Sequence, residues 1–359
     1  TLLVKIVLNG CLKTLTNFFI KKVLIMKKII IFLLCTFFIS HNFLFGRKTV
    51  IKMATLAPEG TPWHSLIAKM GQRWSEETNG NIKLRIYPGG IVGDERDMIR
   101  KMRIGQIHGA AISAEGLSEI NPQYTYCFIP LFFQQYDDID YVREQIKDDL
   151  ISGADKNGFK VLTMVDVGWV YWFSTNKIIT PNDLKNQKIW TWAGDYKTAK
   201  LWDEAGFNAI PLSVPDVHSS LQTGLVDAMA FPPLYVAANQ YFGITSNMLN
   251  MKWGILTAAL VIDNKIWNRI NKKYQSKMIA VADEIGKEYQ LNNRKEENEA
   301  VEAMKNYDLK VNNLSKKQLI EWNELVESMY PLIRGNIVNE EIFDRVIKMK
   351  KDLPSSKNQ

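Results

Sequence analysis

The sequence predicts an α/β protein of two lobes, each a mixed sheet covered by helices, with one long helix bracing both. Three observations carry this. Strand-like and helix-like runs alternate at short spacing from residue 50 to residue 263, the pattern that builds parallel or mixed sheets with helices on their faces. The alternation falls into two blocks, each of about 100 residues, the size of a single domain. Finally, Ile266, Ile270, Tyr274, Met278, Ala282, Ile285 and Tyr289 recur at helical spacing within a composition that stays helical to about Asn306, longer than one lobe of this size needs.

Taken in order, VIKMAT (50–55) reads as a strand, and the loop LAPEG delivers Thr61 as a helix N-cap and Pro62 as the first helical residue, positions that both residue types favour. Trp63, Ile67, Met70 and Trp74 form the apolar stripe of that helix. After Gly80, NIKLRIYP sets Ile82, Leu84 and Ile86 against Lys83 and Arg85, as a half-buried strand does. Gly89, Gly90 and Gly93 form a turn before the helix DERDMIRKMRIG, whose acids lead and bases trail as the helix dipole prefers. IHGAAIS reads as a short buried strand, YCFIPLFF as an apolar run, residues 137–150 as an acidic, solvated helix and FKVLTMVDV as a strand.

From Gly168 the pattern restarts with a separate strand around YWFSTN and another, KIWTW, after a Pro-initiated turn. Strand side chains alternate, so Trp190 and Trp192 share one face. The helix DYKTAKLWDEA ends at Gly206; NAIPL reads as a strand, residues 213–223 as a helix, and LVDAMAFPP and WGILTAALVI as strands. LSKKQLIEWNELVESMYPLI and NEEIFDRVIKMKK add terminal helices, and SSKNQ is a frayed tail.

The formal charge is +7, but residues 1–46 hold six lysines and no acid, so removing them leaves +1. A nearly neutral body gives nucleic acid no electrostatic footprint. Met26 opens MKKIIIFLLCTFFISHNFLFG, in which two lysines precede an apolar run over 29–39 and a small residue, Gly46. These are the three regions of a secretory signal peptide, and the run is short for a bilayer span. Residues 1–46 are therefore expected to be a leader absent from the mature chain, with translation starting at Met26, and the protein to be exported. Leu34 before Cys35 is larger than the residue a lipid-anchoring signal carries, which argues against acylation. Beyond the leader only Cys127 remains, so no internal disulfide is expected.

No nucleophile elbow, phosphate loop or paired-cysteine motif occurs. His64, His108 and His218 lack metal-ligand spacing, Gly89, Gly90 and Gly93 lack a dinucleotide pattern, and Asp137, Asp138 and Asp140 read as helix-start charges. The reading is of a binding protein with no cofactor, no metal and no catalytic residues. What stands out is aromatic density near predicted strand ends, where open α/β sheets bind ligands.

APEGTPWH, YPGGIVGDERDMIRKMRIGQIHGA, TPNDLKNQKI, PLSVPDVHSSLQTGLVDA, the Pro-Pro pair at 232–233 and the long helix after Trp267, taken together over about residues 50–345, resemble the DctP-type solute-binding proteins of TRAP (tripartite ATP-independent periplasmic) transporters. The resemblance implies a two-lobed periplasmic binding protein of Venus-flytrap type that closes on one small molecule and passes it to TRAP membrane permease subunits. On that basis lobe I comprises residues 47–167 with 257–352, including the long and terminal helices, and lobe II comprises 168–256. Closure follows when a ligand touching both lobes binds the closed state more tightly.

Most of that family hold organic acids with an arginine on the strand after a PxDLKG turn, and add an asparagine before the proline that follows LQTG. At the matching positions this chain has Trp190 and Phe231. Without the cation a buried carboxylate would cost several kcal/mol, whereas each aromatic offers roughly 1.5 to 3 kcal/mol for burying an apolar group. The expected ligand is hydrophobic or amphipathic, held by Trp190, Trp192 and Phe231, with Trp63, Trp169, Tyr171, Tyr235 and Trp253 nearby and one polar contact from Lys188, Asp195 or Glu59. Replacing Trp190 with alanine is expected to weaken the ligand and change the fold little. Some members of the branch with this strand work with a tetratricopeptide-repeat periplasmic protein, a further expected partner. The alternatives are a binding protein for an ATP-driven importer or a sensor, or one for an organic acid bound without the usual arginine.

Overall fold

The computed structural model describes residues 21–31 and 48–358. Residues 21–31 are helical (α1) and belong to a compact unit, Thr1–Lys48, separate from Thr49–Gln359. Residues 32–39 of the apolar run, with Cys35 among them, and the cleavage region at Gly46 lie outside the described residues. Among the described residues no helix is long and apolar enough to cross a membrane.

The large unit runs β1 (Thr49–Thr55), α2 (Pro62–Glu77), β2 (Ile82–Tyr87), α3 (Glu95–Arg103), β3 (Gly109–Ser113), α4 (Ala114–Ser118), α5 (Tyr136–Lys156) and β4 (Phe159–Ser174). It continues with α6 (Pro181–Lys185), β5 (Lys188–Trp192), α7 (Tyr196–Glu204), β6 (Asn208–Leu212), α8 (Val217–Gln222), β7 (Ala228–Phe231) and α9 (Pro233–Ala238). Then come β8 (Asn247–Leu249), β9 (Gly254–Asp263), α10 (Asn264–Trp267), α11 (Lys272–Lys305), β10 (Lys310–Asn312), α12 (Lys316–Ile333) and α13 (Glu340–Lys348). The strands form a 10-stranded mixed sheet in the order β2-β1-β3-β9-β4-β7-β5-β6, with β8 on β4 and β10 on β8.

Strand β4 joins the two halves of this sheet. Residues Phe159–Val170 pair antiparallel with β9, and Tyr171–Ser174 pair with β7. The sequence suggested two strands here, broken at Gly168. Instead the chain stays extended through a bulge between Asp166 and Gly168, where Gly168 takes φ +137°, a backbone open to glycine alone at little cost. The apolar run YCFIPLFF is not a strand: its first residues end a 3₁₀ turn over Pro122–Phe128. The predicted helix over 213–223 divides into a 3₁₀ turn, Val214–Asp216, and α8.

The long helix is present but starts later than its apolar spacing suggests, because α10 and a turn precede it. Its 34 residues span about 50 Å at 1.5 Å per residue. Gly286 lets it lie on β4: a Cβ there would meet Thr163 Oγ1 at 2.3 Å. Against α2 it accepts a hydrogen bond at the Met278 carbonyl from Trp74 Nε1 (3.0 Å). Farther along, Arg294 meets the fully buried Asp166 through Nε (3.0 Å) and Asp140 through its other nitrogens (2.7 Å), while Arg143 reaches Asp166 at 2.5 Å. Asp140 is thus a half-buried member of an ion network around Asp166, not a solvated helix-start charge. Asp138 is also buried, its carboxylate accepting from the Gln134 and Gln135 backbone N–H groups. Glu297 accepts from the backbone N–H of Trp169 (3.0 Å), a strand group displaced by the bulge, and from Tyr136 Oη (2.6 Å). Both charge clusters fix α11 to β4 at the joint between the sheet halves.

Two of the C-terminal elements return to the second half: β10 pairs with β8, and Trp322 on α12 donates from Nε1 to the Ile179 carbonyl (2.8 Å).

Candidate functional site

At the carboxyl ends of the strands, three rings stack in a row. Strand β5 carries Trp190; β7 ends at Phe231; and Pro232 and Pro233, which cannot prolong a strand, start α9 with Tyr235 in its first turn. Trp190 and Phe231 lie 4.7 Å apart at 24°, and Phe231 and Tyr235 lie 5.0 Å apart, also at 24°, the offset geometry that aromatic pairs favour. Trp192 leans on Trp190 at 5.0 Å, as its place on the same face of β5 requires.

These rings separate two chambers. The first, with a volume of about 90 Å³, is bounded by Trp63, Leu56, Val214, Leu234, Tyr235 and Tyr289, with polar groups from Thr55, Glu95, Ser113 and Asn293. The second, of about 180 Å³, is walled by Trp172, Trp190, Trp202 and Trp253 with Met329, Ile333 and Ile337, and has Glu115, Asp195 and Thr198 at one corner. Trp192, Phe231 and Leu256 line both. The larger space therefore lies behind the ring partition.

Of the residues expected to form the site, Trp190, Trp192, Phe231, Trp63, Tyr235, Trp253 and Asp195 border one or both chambers. Trp190 is only 5% exposed and donates from Nε1 to the Leu212 carbonyl on β6 (3.0 Å), so most of its ring is packed in protein. Asp195 caps α7, accepting from the Thr198 N–H (3.1 Å). Four expected residues line neither chamber. Trp169 packs on Tyr136 (5.2 Å) beneath Lys252. Tyr171, opposite Phe231 in the ladder, is buried. Glu59 is exposed in the loop before α2. Lys188 contacts the Gly224 carbonyl and lies 3.7 Å from Asp227, away from both chambers.

The residues missed are charged ones on α3 and α4. Glu95 is buried and accepts from Ser113 N (2.8 Å), Ser113 Oγ (2.6 Å) and Gly116 N (2.9 Å). Burial pushes its carboxyl up to about 7, against the pull of those donors. Glu115, pushed to about 8 first by burial and then by Asp195, pairs with Arg96 (2.8 Å), which also holds Glu119 (2.7 Å). The helix-dipole pattern accounts for the acids of DERDMIRKMRIG at the start of α3; only the folded chain brings Glu95 and Arg96 to the cleft. Asp94, the N-cap of α3, also accepts from Val214 N (3.2 Å), tying the GGIVGDER turn to the turn before α8. Among the described residues no group of side chains could hold a metal ion.

Residues 53–335 match the bacterial extracellular solute-binding protein family 7, DctP. A solute-binding protein of Roseobacter denitrificans is 23% identical over 257 residues, covering 69% of this chain and 76% of its own. A TRAP periplasmic solute-binding protein from Sulfurospirillum deleyianum, solved with succinate, superposes with a TM-score of 0.76 at 20% identity, over 83% of this chain and 98% of that one. The sugar acid binding protein DctPAm from Advenella mimigardefordensis, solved with galactonate, gives 0.79 at 15% identity, over 86% and 99%.

Proposed function

The chain belongs to the DctP family of extracellular solute-binding proteins, which bind substrates and are not enzymes, and on that premise we propose that it captures a hydrophobic or amphipathic small molecule for a TRAP membrane permease. The observation that carries the ligand class is the stacked pair Trp190 and Phe231, standing where relatives are expected to have the arginine and asparagine that hold a carboxylate. An acid placed against these rings would face apolar surface with no guanidinium fork to compensate its charge. The acids bound by the relatives are properties of those proteins.

We assign the ligand contacts to Trp192 and Phe231, which border both chambers, and to Trp63, Tyr235, Trp190 and Trp253 around them. The protein acts in the periplasm, its leader ending near Gly46, and a tetratricopeptide-repeat partner would suit a poorly soluble cargo. Lobe I is assigned residues 47–167 with the strand and long helix of 257–309. The pairing of β10 with β8 and the docking of α12 near α6 support counting 310–333 with lobe II.

The test is a comparison of ligand classes by thermal shift and tryptophan fluorescence, since a ligand of the folded state must raise the melting temperature. Medium-chain alcohols such as 1-octanol are expected to raise it and to change the fluorescence, and succinate to do neither. Micromolar succinate binding would overturn the ligand class.

A further inference from the structure

The polar corner of the second, tryptophan-walled chamber carries two carboxyl groups, Glu115 and Asp195, and among the described residues no lysine, arginine or histidine lines that chamber. Glu115 is 3% exposed. Its Oε1 accepts from Arg96, while its Oε2 has no hydrogen-bond partner among the described residues and is not sealed off by packing. Asp195 spends Oδ1 on the cap of α7 and, among the described residues, forms no ion pair. Arg96 is shared between Glu115 and Glu119, so it covers only part of the acidic charge, and Lys197 lines the adjoining cavity of about 390 Å³ but not the chamber. A buried carboxyl group with an unspent oxygen is costly unless something pairs with it. Burial and Asp195 hold the Glu115 carboxyl at about 8, as expected where positive charge is in short supply.

We propose that the tryptophan chamber takes the ammonium end of an apolar amine, seated between Glu115 and Asp195 against the tryptophan faces. This rests on the apolar-ligand reading above and adds the head class of the cargo. Aromatic faces attract a cation but return less than its desolvation takes away; the two carboxylates supply the rest, and their free oxygens match the N–H donors of an ammonium group. A neutral alcohol would leave the two acids uncompensated, and an anion would be repelled by both. The chamber's volume of about 180 Å³ exceeds the roughly 150 Å³ that encloses a benzene ring in an apolar cavity, so an amine with one ring is of suitable size. On the lobe assignment above, Glu115 belongs to lobe I and Asp195 to lobe II. One ammonium between them would relieve their repulsion and favour the closed state. It would also drive the proton from Glu115, whose carboxyl faces Arg96 on α3 and Asp195 before α7, with Glu95 acting at longer range and Glu119 and Lys197 lining the adjoining cavity.

The probes are benzylamine, benzyl alcohol and benzoate, titrated into the protein by calorimetry at pH 7 in two buffers of different ionisation enthalpy, with melting curves to show that each variant folds. Benzylamine should bind about tenfold or more tightly than benzyl alcohol, and benzoate most weakly. Only the amine should release a proton, about one per molecule bound. Glu115→Gln should end the proton release and reduce the amine's advantage over the alcohol to about threefold or less. Asp195→Asn, which keeps an acceptor for the α7 cap, should reduce that advantage in part, and it decides the matter if Glu115→Gln does not fold. Benzyl alcohol or benzoate binding as tightly as benzylamine, amine binding that releases no proton, or the full advantage surviving in the variants overturns the proposal. So does a lack of benzylamine binding: if 1-octanol then binds, the apolar cleft stands and only the amine site fails, whereas if succinate binds instead, both readings fall.

Discussion

Trp190 and Trp192 share a strand face, yet the fold gives them different work, and alanine replacements should separate the two. Trp190 is 5% exposed, stacks on Phe231 at 4.7 Å and donates to the Leu212 carbonyl. Truncating a buried tryptophan costs about 3 to 5 kcal/mol, and the Leu212 carbonyl keeps the Ala193 N–H (3.1 Å) as a donor, so Trp190→Ala should lose about 4 kcal/mol of folding stability. Little change in the fold, the expectation from sequence alone, does not suit a ring this deeply packed. Trp192 is half-buried and borders both chambers. Trp192→Ala should cost only about 1 kcal/mol of stability but about 2 kcal/mol or more of 1-octanol binding, roughly thirtyfold in affinity. Urea unfolding followed by far-ultraviolet circular dichroism measures the first quantity and calorimetric titration the second. If Trp190→Ala unfolds within about 1 kcal/mol of the unaltered protein, Trp190 is not a structural ring and the division of roles is wrong.

Two further outcomes concern charge. Glu95, held in the fold at about 7 by burial, keeps its proton in the folded state across a range where the unfolded chain has lost it. Stability should therefore fall as pH rises from about 4.5 to 7, by on the order of 3 kcal/mol, and level off above. Glu115 and Glu297 are shifted the same way, so the melting temperature should be higher at pH 5 than at pH 8, and Glu95→Gln should flatten part of that slope; an unchanged slope would mean Glu95 ionises normally in the fold. At the joint between the sheet halves, Arg294→Met leaves the fully buried Asp166 with Arg143 alone and should cost about 3 to 5 kcal/mol in urea unfolding, part of which the added change Asp166→Asn restores. A cost below about 1 kcal/mol would mean that the network does not hold α11 to β4.

Periodicity made the elements legible because burial enforces it. The stripe Ile67, Met70, Trp74 is buried as its spacing implies, and β2 lies half-exposed at the sheet edge. The continuity of β4 was not legible, since a glycine in mid-strand ordinarily reads as a break and only the pairing with β9 carries the chain past it. The same limit applies at the cleft. Trp190, Trp192 and Phe231 announce themselves by residue type, but Trp169 and Tyr171 are equally aromatic and are consumed by packing. Glu95 and Glu115 look like ordinary helix-start acids, and their burial comes from contacts with Ser113, Gly116 and Arg96 that only the folded chain makes.

Positions 190 and 231, where the family resemblance implies an arginine and an asparagine, are physically coupled in this fold. Trp190 and Phe231 are in van der Waals contact. An arginine at 190 would bring a cation against the Phe231 ring in a nearly closed space; a cation–π contact of about 1 to 2 kcal/mol would not offset the several kcal/mol of desolvation. An asparagine at 231 would set amide groups against the Trp190 ring, whose one donor is already spent on Leu212. Either polar residue alone is therefore worse than both or neither, so the pair has two self-consistent states, one that clamps a carboxylate and one that presents an apolar wall. On the proposed reading this chain is in the second, and Trp172, Trp202 and Trp253 extend that wall.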